Sequence, residues 1–143
     1  MKTETLFSNN IDEWKTPIDL FNKLDREFGF TLDAAATVDN HLCPFFFTAE
    51  QDALKYDWGG FAVWCNPPYS QIKTWIRKCY FEGHKPNTTV VVLVPVRTDT
   101  RWWQNYVQHR SEVRFLPGRL RFSEATNNAP FPSAIVIFRG PQE

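Results

Sequence analysis

Apolar positions recur along this chain with two different periods. Ile18, Phe21, Leu24 and Phe28 follow the helical one, which predicts a helix with one buried stripe. Thr16 stands as its N-cap, Pro17 in its first turn, Asp19 near its positive end, and Gly29 where it should stop. Residues 30–36 read as a strand running into a turn of small residues. Phe61-Ala62-Val63-Trp64-Cys65 is continuously apolar, as expected of a central strand covered on both faces. A second helix carries Ile72, Trp75, Ile76, Cys79 and Tyr80, with Ser70 as cap and Gly83 as end. Residues 88–94 form the most β-prone stretch, Asp99 is placed to cap a third helix bearing Trp102, Trp103, Tyr106 and Val107, and strands follow near 112–115 and 133–138. Helices thus alternate with strands. That order predicts an α/β fold, a mainly parallel sheet with helices on both faces and a ligand crevice at the carboxyl ends of the strands.

Composition narrows the class. With 143 residues, 43% hydrophobic and 16% aromatic, the chain can bury roughly two-thirds of its unfolded surface in one core and is too apolar for disorder. A single domain over 1–143 is expected. The longest apolar run, residues 90–96, is far short of the roughly 20 residues that cross a bilayer, and residues 1–10 are polar without a signal core. A soluble, cytoplasmic protein with no membrane contact is therefore expected. Cys43, Cys65 and Cys79 are odd in number and form no CxxC pair, so they read as small buried side chains in a reducing compartment. His41, His84 and His109 lack the spacing of zinc ligands, and no metal is expected.

Net charge is zero, but it is unevenly spread: residues 1–72 hold five basic against eleven acidic residues, and residues 73–143 hold eleven against five. Eight of those eleven are arginine. Two readings stand together. The C-terminal part meets a polyanion, for which the guanidinium fork is suited, or the two parts are tied by salt bridges.

Asn66-Pro67-Pro68-Tyr69 carries the sharpest chemistry, because it lies just past a predicted central strand and just before a helix. An exocyclic amine on a planar base is a poor nucleophile, its lone pair delocalised into the ring, until acceptors hold its hydrogens. The side-chain oxygen of Asn66 and the carbonyl of Pro67 can do so, two consecutive prolines fix the backbone, and Tyr69 can stack on the base. Asn66 cannot act as a strong base, so positioning must carry the rate. An amine inside duplex DNA is out of reach of such a pocket, and the base would have to be flipped out.

The tetrad is the hallmark of amino-group methyltransferases, and the chain resembles the phage-type DNA adenine-N6 methyltransferases, the Dam-like family of phages and prophages, nearly end to end. The resemblance rests on Asp12-Glu13-Trp14-Lys15-Thr16-Pro17, Phe28-Gly29-Phe30-Thr31-Leu32-Asp33-Ala34-Ala35-Ala36, the tetrad, Arg97-Thr98-Asp99-Thr100, Gly118-Arg119-Leu120-Arg121-Phe122 and Ala129-Pro130-Phe131-Pro132-Ser133. It implies a class I S-adenosylmethionine-dependent methyltransferase fold, Rossmann-like, with a seven-stranded sheet whose last hairpin strand is antiparallel. It also implies transfer of a methyl group from S-adenosyl-L-methionine to N6 of adenine in DNA.

By position, the resemblance makes Asn66, Pro67, Pro68 and Tyr69 the catalytic face and gives the methionine part of the cofactor to Asp33-Ala34-Ala35, with Asp33 pairing its ammonium. The cofactor's carboxylate would sit at the first helix start, by Thr16 and Pro17. Glu50 and Asp52 are candidates for its ribose and adenine, with Asp39 competing. No insertion is long enough for a separate target-recognition domain, so short loops must serve. Residues 117–132 are the best placed, with Arg119 and Arg121 flanking a turn and Asn127 and Asn128 offering base-edge donors and acceptors. The alternatives are the same chemistry on an RNA adenine or a protein glutamine, or a catalytically silent nucleic-acid-binding domain.

Overall fold

The computed structural model describes residues 14–143, so Asp12, Glu13 and the polar start lie outside the described residues. Six strands form one sheet: β1 (Leu32–Asp33), β2 (Phe45–Phe46), β3 (Ala62–Cys65), β4 (Thr89–Pro95), β5 (Glu112–Phe115) and β6 (Ser133–Arg139), in the order β2-β1-β3-β4-β6-β5. β1 pairs in parallel with β2 and β3, and β3 with β4. β6 is wedged antiparallel between β4 and β5. β5 therefore runs with the rest, and the sheet is mainly parallel as expected. The antiparallel strand is as the resemblance implied, but the described strands number six where it implied seven.

Alternation sorts the side chains to two layers. Val90, Val92 and Val94 of β4 and Ala134, Val136 and Phe138 of β6 meet the helix α2 (Ile72–Gly83) through Trp75, Ile76 and Cys79. Val91, Leu93, Ile135 and Ile137 face the other way, where the helix α1 (Ile18–Phe28) packs Phe21 and Leu24 against Phe30 and Trp64. Both faces are covered, which is why β4 and β6 read as continuous apolar runs. All three cysteines are buried and reduced.

Several local expectations are corrected. Pro17, not Thr16, occupies the N-cap position of α1 and makes no side-chain cap, and Ile18 is 52% exposed, so the buried stripe is Phe21 and Leu24 with Leu20 and Phe28 beside it. Gly29 does end α1, in a left-handed conformation with φ of 62° that costs glycine little. Ser70 does not cap α2. A 3-10 turn, Tyr69–Gln71, leads into that helix, and its last residue is Gly83 itself. The third helix is a π-helical turn, Trp103–Val107, whose Trp103 N–H reaches the hydroxyl of Thr100 (3.3 Å), so Thr100 stands where Asp99 was expected.

Candidate active site

The chain switches direction across the sheet at β1. From there it goes outward to β2 and returns to the opposite side as β3, and such a reversal opens a crevice at the carboxyl ends of the strands. Asp33 ends β1 and Asn66 follows β3. Both line one cleft of about 430 Å³, with Trp14, Thr16, Ala35, Asp39, Leu42 and Trp64 among its walls.

Asp33 is 3% exposed, and its Oδ2 accepts the Leu42 N–H at 3.0 Å. Burial pushes its carboxyl above the ordinary value, against the opposing pull of the Leu42 and Ala35 main-chain hydrogen bonds and of His41. A buried carboxylate with no ion-pair partner among the described residues suits a cationic ligand.

A second cleft, of about 500 Å³, shares Ala35 and Thr37 with the first and continues along Ala34, Ala36, Thr48, Asp52, Ala53, Leu54, Pro68 and Trp75. Its walls are mostly apolar around one carboxylate, Asp52, which sits at a left-handed position (φ 55°) before a 3-10 turn. Glu50 is exposed and walls neither cleft, whereas its competitor Asp39 lines the first. Thr16 lines the first cleft and Pro17 does not.

The tetrad lies where the clefts converge. The Asn66 amide donates through Nδ2 to the carbonyl of Trp14 (2.5 Å) and to Thr16 Oγ1 (3.0 Å). Its Oδ1 is buried with no partner among the described residues. The Pro68 carbonyl accepts the Gln71 N–H at 3.0 Å, while no described N–H reaches the carbonyl of Pro67. Two acceptors, Asn66 Oδ1 and the Pro67 carbonyl, are thus left on one short segment. A buried acceptor without a donor is costly unless a ligand supplies one. The Tyr69 hydroxyl is likewise buried without a partner, and burial raises its pKa well above the ordinary phenol value.

On the other side of Tyr69 a third cleft, of about 320 Å³, is walled by Trp14, Ile72, Arg97, Thr100, Trp102 and Phe131 as well as Tyr69. The Phe131 ring stands edge-on to Tyr69 (centroids 5.7 Å) and to Trp14 (5.6 Å). Trp14, Arg97 and Phe131 were not expected at the site. Each stands in a segment on which the resemblance rests, at 12–17, 97–100 and 129–133, and that was the available signal. Trp102, read from the sequence as part of the third helix, is 7% exposed and forms part of this wall.

The connection between β5 and β6 leaves Arg119, Arg121, Asn127 and Asn128 exposed, but it is more than a surface loop. Phe122 and Ala129 are buried in the core, and Ser123 forms an antiparallel bridge with Lys15. Salt bridges do tie the two parts of the chain together. Arg114 grips Glu27 through two 2.7 Å bonds and also pairs with Glu112, which takes Arg139 as well. Arg97, Arg101, Arg119 and Arg121 make no ion pair with a described residue.

A family model described as DNA N-6-adenine-methyltransferase (Dam) matches residues 2–141. The DNA N-6-adenine-methyltransferase of Haemophilus phage HP1 is 31% identical over 135 residues, covering 89% of this chain and 78% of that protein. The DNA N-6-adenine-methyltransferase of Escherichia phage T1 is 32% identical over 111 residues, 76% of this chain. The match spans 46% of the phage T1 protein's own length.

Proposed function

Because the chain belongs to the DNA N-6-adenine-methyltransferase (Dam) family, we propose that it transfers a methyl group from S-adenosyl-L-methionine to N6 of adenine in DNA. The observation that carries this reading is the Asn66 amide, held by its nitrogen with its buried oxygen left without a donor. The residues present fit the cofactor. Asp33, desolvated and without an ion-pair partner among the described residues, would hold its ammonium, and the N–H groups at the start of α1, next to Thr16 and Pro17, its carboxylate. The apolar second cleft would take its adenine, with Asp52 or Asp39 on its hydroxyls. When bound, that group supplies an electrophilic methyl on a cationic sulfur.

This chain's own residues act on the amine. Asn66 Oδ1 and the Pro67 carbonyl each accept one amine hydrogen, which withdraws the nitrogen lone pair from the ring and aims it. Neither group takes the proton outright: it is lost to solvent once the methyl has transferred and the nitrogen has become cationic. As the nitrogen gains its fourth bond, the same two acceptors stabilise the charge that develops on it, and that differential is where rate is gained. Pro67 and Pro68 hold the carbonyls in place without reorganisation. The third cleft, beside Tyr69 and Phe131, accommodates a base taken out of the stack.

We read the 143 residues as one catalytic domain acting in the cytoplasm of a bacterial host, with DNA met by Arg119, Arg121, Asn127 and Asn128. Incubation with cofactor labelled in the methyl group, followed by digestion to nucleosides, should place the label on N6-methyladenine from DNA. Label on RNA adenine or on protein glutamine instead would overturn the DNA assignment.

A further inference from the structure

We propose that Thr16 is a positioning residue for Asn66, and that Ser123 holds Thr16 in place, so that the chain from the β5–β6 connection to the tetrad decides which end of the Asn66 amide faces the acceptor. This inference rests on the functional reading above, since it gives Asn66 Oδ1 its task.

The two ends of a carboxamide are nearly the same in shape, and only their partners distinguish them. Here Nδ2 lies 2.5 Å from the Trp14 carbonyl and 3.0 Å from Thr16 Oγ1. A main-chain carbonyl can only accept, so the flipped amide would put oxygen against oxygen at hydrogen-bond distance. Trp14 therefore forbids the flip, and Thr16 adds a second acceptor for the same NH2 group. The orientation left is the one that presents Oδ1, which has no donor of its own. Accepting from Nδ2 also polarises the amide and makes Oδ1 a better acceptor.

Residues 14–17 lie before α1 and belong to no helix, so something else must fix them. The Ser123 N–H donates to the Lys15 carbonyl at 2.9 Å, and the Ser123 hydroxyl donates to the Thr16 carbonyl at 2.9 Å. Lys15 pairs with Glu124, and Trp14 packs on Phe122 (5.1 Å) and Phe131. The segment that orients the amide thus hangs from the connection whose exposed Arg119, Arg121, Asn127 and Asn128 are assigned to DNA.

Thr16→Val keeps the shape and removes the acceptor, while Thr16→Ser keeps the hydroxyl. Thr16→Val should lower kcat about tenfold, the loss of one hydrogen bond's worth of orientation, with KM for cofactor and DNA changed less than about threefold. Thr16→Ser should restore kcat, and Ser123→Ala should lower it in the same direction. The double variant Thr16→Val, Asn66→Ala should be no slower than Asn66→Ala alone, because the two residues act as one unit. A higher cofactor KM at unchanged kcat, or fully additive losses, overturns the proposal. Hydrogen exchange of the Asn66 side-chain amide, followed by NMR in the protein without substrates, gives a readout independent of turnover. It should be slow in the wild type and faster in Thr16→Val. Equal rates overturn the positioning role, whereas slow exchange in a wild type that methylates no DNA overturns the functional reading and leaves the positioning role standing.

Discussion

Single atoms carry most of the functional argument. Asn66 Oδ1 and Asp33 are each held in a state that water would not favour, one a buried acceptor without a donor and the other a desolvated carboxyl. Removing the first should be felt in turnover: Asn66→Ala should cost on the order of 10²-fold in kcat while leaving the thermal melt near wild type, as the loss of one preorganised contact to developing charge does. Wild-type turnover in that variant removes the assignment. Asp33 should instead act on cofactor affinity, with a definite sign in pH. Burial raises its folded value above 3.8, so between the ordinary and the raised value the folded protein carries the extra proton, and its own stability falls as pH rises through that window. An ammonium ligand reverses the preference by favouring the carboxylate. Cofactor affinity should therefore weaken as pH falls into the same window, binding there should release protons, and Asp33→Asn should abolish both effects in titration calorimetry. Affinity flat across the acid range would move the ammonium site elsewhere.

At the scale of elements, β3, β4, β5, β6 and both helices were legible in the sequence because each carries its own period or apolar run over four or more residues. β1 falls inside the strand read over residues 30–36, although only Leu32 and Asp33 belong to it. β2 was not legible: it is two residues long, and Phe45–Phe46 becomes a strand only through its pairing with Leu32 and Asp33. Thr16 failed as a cap although it is a good capping residue locally, because its hydroxyl receives the distant Asn66, and a window of neighbours cannot show a partner 50 residues away. Asn66 and Asp33 were legible because one follows and the other ends a strand that the sequence shows, while Trp14, Arg97 and Phe131 join the site only through chain crossings. Gly83 ends α2 as read, and has a second role that the sequence does not show: a Cβ there would lie 2.4 Å from Cβ of Phe138, so it also permits the close approach of α2 to β6. Gly83→Ala should destabilise the fold by about 1–3 kcal/mol through overpacking, seen as a lower denaturation midpoint with unchanged cofactor affinity. A wild-type midpoint would show that the helix shifts at no cost.

Over the whole molecule, the opposed charges of the two parts divide into an internal and an external set. Arg114 and Arg139 bind Glu27 and Glu112 and lie over the Phe28 ring, both at 5.6 Å, tying the β5–β6 edge to the end of α1. These pairs are largely exposed and each contributes modestly. Arg97, Arg101, Arg119 and Arg121 have no such carboxylate among the described residues, and Arg97 borders the cleft beside Tyr69. The two sets should separate in a salt series with DNA. If Arg119 or Arg121 contacts phosphate, its alanine variant should weaken all duplexes alike and flatten the logarithmic salt slope by about one unit; if it reads a guanine edge, discrimination should fall by roughly 1–3 kcal/mol at one position. Arg114→Ala should leave the slope unchanged and lower stability instead, because its charge is already matched within the protein. Binding curves for specific and non-specific duplexes, measured for each variant from low to high salt, distinguish these outcomes. Unaltered curves for both Arg119→Ala and Arg121→Ala would exclude the β5–β6 connection as the DNA-facing element and leave the Arg97 side of the tetrad as the surface that meets the duplex.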